Sequence, residues 1–202
     1  MPLVQIINLL SNFTTASVFA ALFWLFTDAL FLRFEIKIFL KAIAFGLLTT
    51  AIILNLLQLL TIANTPFIFW LQSLGLWLLF ASFILDSHSK LQFMAILAIL
   101  ILFFLKNHAL LAVQASLVAA TVLNLAHVTK HNDLIPFGVG FVLIACAEFF
   151  YFLERTKNFE GIAQAGTFLY IFASITLFYW LWQYLVIRFN LGKKIGEVFR
   201  PY

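Results

Sequence analysis

The chain has 202 residues, 64% of them apolar, with 12 basic and 8 acidic side chains. Soluble domains are about a quarter charged, so a charged share of 10% leaves too little polar surface for a water-exposed shell. This excludes an ordinary soluble enzyme, a disordered chain and a nucleic-acid-binding domain, and it predicts an all-α integral membrane protein.

Seven apolar segments follow one another. Their runs are continuous rather than alternating, which favours helices over a β-barrel. Residues 1–14 place Leu3, Ile6, Ile7 and Leu10 on one helical face. That fits a short interfacial helix, with a loop as the alternative. The first span is expected at Thr15–Leu32, the second at Ile38–Ala63 and the third at Pro66–Leu85. Ser89 followed by Gln92 reads as a capping box opening the fourth span, Leu91–Leu105. That span is short and leans on snorkelling by Lys90 and Lys106; without it the count drops to six. Lys106-Asn107-His108 makes a tight turn into the fifth span, Ala109–Ala126. The sixth is expected at Leu134–Leu153, with Pro136 near its start, and the seventh at Ile162–Ile187.

The expected architecture is therefore a seven-helix bundle over residues 15–187. A basic tail over 188–202 carries Arg188, Lys193, Lys194 and Arg200. Small residues four apart (Ala42 with Gly46, Ala115 with Ala119, Ser116 with Ala120, Gly161 with Ala165) permit close helix approach. Trp70, Trp182 and Tyr184 suit interfacial belts. Cys146, the single cysteine, reads as a small hydrophobe within an apolar run.

Charge sets the expected orientation. With seven crossings, Arg33, Lys37, Lys41, Lys90, Lys130, Arg188, Lys193, Lys194 and Arg200 share one side, against Lys106, Arg155 and Lys157 on the other. Basic residues collect on the cytoplasmic face. The N-terminus is then outside and the C-terminus cytoplasmic, in a prokaryotic plasma membrane.

Two acids fall within spans. Asp28 lies near the cytoplasmic boundary, about one turn from Arg33, where water or a basic neighbour is within reach. Glu148 lies deeper, roughly 7 Å outward of midspan at 1.5 Å per residue. An intramembrane carboxyl is a functional-site hypothesis by default. Asn55, Gln72 and Gln114 fall in the same layer, Tyr151 is one turn above Glu148, and Gln58 and Gln164 sit nearer the rim. These residues predict a polar ligand-binding pocket opening to the outside, centred on Glu148. The alternative is that each amide bonds a neighbouring helix and holds the bundle together.

A second cluster lies on the cytoplasmic side. His127 and His131 are four apart, so one helical face could present both to zinc, with Asp86 and His88 from the loop after the third span. With Ser82, this set resembles the seven-helix membrane metallohydrolases of the alkaline ceramidase and adiponectin receptor type. That resemblance implies a metal-dependent hydrolase acting on lipids. The chain departs from the family in that its His pair closes the fifth span and the seventh has no histidine.

A broader likeness rests on three stretches: Leu74-Gly75-Leu76-Trp77 with Phe83, Gly140-Phe141 through Ala147-Glu148-Phe149-Phe150, and Tyr179-Trp180-Leu181-Trp182-Gln183-Tyr184 before Arg188. In these the chain resembles the N-terminal membrane sensor regions of prokaryotic histidine kinases and cyclic-dinucleotide enzymes. The resemblance implies a non-enzymatic bundle: a detached sensor, or an accessory subunit that contacts membrane lipid and works through a protein partner. A small-solute or proton-coupled carrier, with Glu148 as the ion site, is the remaining alternative.

Overall fold

The structure is a computed structural model that describes residues 3–61, 67–86, 108–157 and 161–188. The described residues form six long helices and one 3-10 turn. The helices are α1 (Leu3–Leu32), α2 (Ile36–Thr61), α3 (Phe67–Asp86), α4 (His108–Thr129), α5 (Ile135–Lys157) and α6 (Ile162–Arg188). The turn spans Asn132–Leu134. All six helices are long and apolar enough to cross a membrane. The protein is an all-α integral membrane bundle, because in lipid only intrahelical bonding satisfies this much backbone. The expected fourth span, Leu91–Leu105, lies outside the described residues, as do His88 and the tail beyond Arg188.

Each helix packs on its neighbours in chain order, and α6 returns to pack on α1, closing a ring. Residues 3–14 are continuous with the first span rather than a separate interfacial helix or a loop. α1 is one helix of 30 residues. Polar side chains of its first half bond inward, which explains why that half is not apolar enough to read as a span.

Inside the ring, one half is filled by aromatic rings. Phe45 stacks on Phe26 at 5.5 Å and meets Phe19 at 5.8 Å. Phe137 contacts Phe45, Phe83, Phe141 and Trp180, joining α2, α3, α5 and α6. Such offset and edge contacts between rings are favourable beyond their burial. The outer faces expose large apolar residues, among them Phe31, Phe172, Ile175 and Phe178, which meet lipid. Trp70, Trp182 and Tyr184 are also on the outside.

Of the small-residue pairs, Ala115 and Ala119 are buried, whereas Ser116 and Ala120, one position round the same helix, face outward. Gly161 and Ala165 are exposed too. Close approaches occur instead at Gly75 against α2, Gly138 against α4, Gly140 against α6 and Gly166 against α5.

Candidate functional site

The other half of the ring interior is open. A cavity of about 790 Å³ is lined from all six helices. Its wall takes Asn8, Ser11, Asn12 and Thr15 from α1, Asn55 and Gln58 from α2, and Gln72 from α3. His108 comes from α4, Glu148, Tyr151, Glu154 and Arg155 from α5, and Gln164, Thr167 and Tyr170 from α6. These are the first turns of α1, α3, α4 and α6 and the last turns of α2 and α5.

Glu148 sits at the floor, 4% exposed. A carboxylate there is tolerable only if its oxygens are engaged. Both are: Tyr170 Oη donates to Oε1, and His108 Nδ1 is 2.7 Å from Oε2. One carboxyl thus ties α4, α5 and α6 together. The imidazole lies 5.7 Å from the Tyr151 ring, which is stacked at 6.2 Å on Tyr170.

A second network fastens α1 to its two ring neighbours, α6 and α2. Thr167 Oγ1 donates to Asn8 Oδ1 at 2.9 Å and lies 3.0 Å from Tyr151 Oη. Ser11 Oγ donates to the Thr167 carbonyl, and Thr15 Oγ1 is 2.9 Å from Ser174 Oγ. Asn55 Nδ2 donates to Asn12 Oδ1 at 2.9 Å, joining α2 to α1.

Beneath the cavity a void of about 20 Å³ touches Gln72, Glu148 and Tyr170, and its other walls are apolar. Below that the ring is packed by Leu79, Leu111, Val118, Phe137 and Phe141, all essentially inaccessible. The cavity therefore has a mouth at one end of the bundle and an apolar plug at the other.

Of the five residues expected at the pocket, Asn55, Gln72, Glu148 and Tyr151 line this one cavity. Gln114 does not. It is 2% exposed, faces α3, and donates Nε2 to Ser73 Oγ at 2.9 Å. Its Oε1 has no partner among the described residues. Depth along a helix fixes height but not direction, and six residues past His108 is about 240° further round. Gln114 thus links two helices, which is the alternative role considered for these amides.

Sequence reasoning missed His108, Tyr170, Thr167 and the polar face of α1. Read from sequence, residues 1–14 stand apart from the first span, as an interfacial helix or a loop, and His108 falls in a turn.

The expected metal cluster is not assembled among the described residues, where no group of three His, Cys, Asp or Glu side chains converges. α4 ends at Thr129, and Lys130 adopts φ 58°. A left-handed residue turns the chain out of the helix, so His131 does not continue the face that carries His127. Both imidazoles are exposed, and His131 lies 3.6 Å from Asp133. Asp86 closes α3, while Ser82 is buried and donates to the Leu79 carbonyl at 2.6 Å.

Comparison with known proteins gives no relative through which to name the site: no protein-family model, no curated protein and no solved structure matches the chain.

Proposed function

We propose that the protein is a non-enzymatic membrane bundle that captures a small polar ligand in this cavity, as a sensor working through a protein partner. The observation that carries the reading is one polar chamber of about 790 Å³, walled by all six described helices and closed below by apolar packing. Small-molecule sites are commonly 300–1,000 Å³ with a few placed polar groups. The apolar plug speaks for a dead-end site over a carrier's path. The likeness to kinase sensor regions fits the same reading.

The test is a native mass spectrum of the protein released gently from its own membrane. A small-molecule adduct is expected on the wild type, and it should be lost in Gln72→Leu. A bare mass for both, with bound lipid retained, would remove the ligand-binding reading. A protein-sized adduct alone would move it to an accessory subunit.

Seven crossings with the cavity facing outward complete the proposal. α3 and α4 run parallel: Gln72 and His108 share the cavity near their starts, and Phe83 meets Phe137 at the far end, where α4 gives way to α5. Asp86 and His108 thus lie at opposite ends of the bundle, which supports the crossing expected at Leu91–Leu105. Among the described residues, Arg33, Lys37, Lys41, Lys130 and Arg188 belong to the plugged end and Arg155 and Lys157 to the open end. The plugged end is then cytoplasmic. A membrane-impermeant maleimide should label Gln164→Cys in intact cells. Labelling only after the cells are opened would reverse the orientation.

A further inference from the structure

The groups that the cavity wall leaves unengaged point to the class of ligand, an inference that rests on the ligand-binding reading above. Glu148, the deepest carboxylate, already accepts through both oxygens, from Tyr170 and His108. Its side chain is only 5% exposed, so the lone pairs these donors leave are largely shielded from a ligand cation. His108, with Nδ1 taken and its side chain 34% exposed, keeps Nε2 for a ligand.

Amides supply six more of the wall's side chains: Asn8, Asn12, Asn55, Gln58, Gln72 and Gln164. Among the described residues, Gln72 and Gln164 have no hydrogen-bond partner, so each offers a donor and an acceptor. Asn8 accepts at Oδ1 and keeps Nδ2. Asn55 donates from Nδ2 and keeps Oδ1. At the mouth, Glu154 and Arg155 are adjacent and opposite in sign, so they leave no net charge there.

The unengaged amides and imidazole nitrogen are mixed, uncharged donors and acceptors, and they match a ligand whose groups donate and accept together. The hydroxyl is the common group that does both. We propose that the cavity binds a small uncharged polyhydroxylated molecule, a sugar or polyol. Its hydroxyls meet the amides of Gln72, Gln164, Asn8 and Asn55 and the Nε2 of His108. Its C–H face lies against the Tyr151 and Tyr170 rings. A free anion would face Glu148 and Glu154 with only Arg155 to receive it.

The experiment uses the full chain in phosphatidylcholine nanodiscs. Its thermal midpoint is followed with D-glucose, myo-inositol, choline and citrate at equal concentrations. Glucose or inositol should raise the midpoint through mass action on the folded state, and choline and citrate should not. Gln72→Leu and the rim variant Gln164→Ala should each weaken the polyol's Kd by about tenfold, as expected for one lost hydrogen bond that leaves a desolvated partner. A rise with choline or citrate and none with the polyols would overturn the ligand class while leaving the pocket in use. No rise with any of the four would also overturn it. In that case a small-molecule adduct in the native mass spectrum separates a wrong ligand class from a cavity that binds nothing.

Discussion

Glu148→Leu is expected to destabilise the bundle by about 2–4 kcal/mol, although it places an apolar side chain in a largely apolar setting. The cost comes from the groups left behind. Tyr170 Oη loses its acceptor in a place where water has little access, and a stranded buried donor costs about 1–3 kcal/mol. His108 loses less, because its side chain is 34% exposed and can turn to the cavity. The three-helix tie between α4, α5 and α6 goes with them. Glu148→Gln should cost only about 1 kcal/mol, since its amide oxygen still accepts from Tyr170.

The double variant Glu148→Leu with Tyr170→Phe separates these contributions. Removing both partners of a buried polar pair is far milder than removing one. The second substitution should therefore recover about 1–2 kcal/mol of the loss. Chemical unfolding in a mild detergent measures all four proteins. A Glu148→Leu variant as stable as wild type, or a double variant weaker than Glu148→Leu, would show that the carboxylate does not hold the floor.

The membrane class and most helix bounds were legible from the sequence because an apolar run and its breaks are one-dimensional features. The expected spans Ile38–Ala63 and Ile162–Ile187 differ from α2 and α6 by two residues or fewer at each end. α1 was misjudged because Asn8, Ser11 and Asn12 lower the apolar signal of its first half, and only the ring closure against α6 shows why a polar face belongs there.

The layer of Glu148, Asn55 and Gln72 was legible from depth alone. Depth failed for Gln114, which needs rotation as well as height. The His108–Glu148 pairing had a usable signal. α4 and α5 form an antiparallel hairpin turning near Lys130, so His108, 22 residues before the turn, falls beside residues about as far after it. Glu148 is 18 after. The His127–His131 spacing misled for the opposite reason: it assumes a helix that continues, and the left-handed Lys130 ends it.

Gly75→Leu is expected to have the largest effect of any single substitution between α2 and α3, and it should disturb the cavity without lining it. A Cβ at Gly75 would lie 2.8 Å from Leu48 Cγ and 3.1 Å from the Ala44 carbonyl oxygen. Ala44 and Leu48 are buried on α2, and a backbone oxygen cannot swing aside. Overpacking of this kind costs about 1–3 kcal/mol, more when several atoms must move. For Gly75→Ala the helix propensity gained, up to about 1 kcal/mol, offsets part of that. A net loss of about 1–2 kcal/mol should remain.

Gly46→Ala is the control. Its Cβ would meet only the ring of Phe23 at 3.2 Å, and that ring is exposed enough to move. Gly46→Ala should then be neutral or stabilising, Gly75→Ala weaker than wild type, and Gly75→Leu weakest. The same ordering should appear in ligand affinity, because α2 carries Asn55 and α3 carries Gln72 to opposite parts of one wall. Forcing the two helices apart at Gly75 separates those amides. If Gly75→Ala matched Gly46→Ala in thermal midpoint, the contact between α2 and α3 would be looser than the structure has it, and the cavity's width would not be set there.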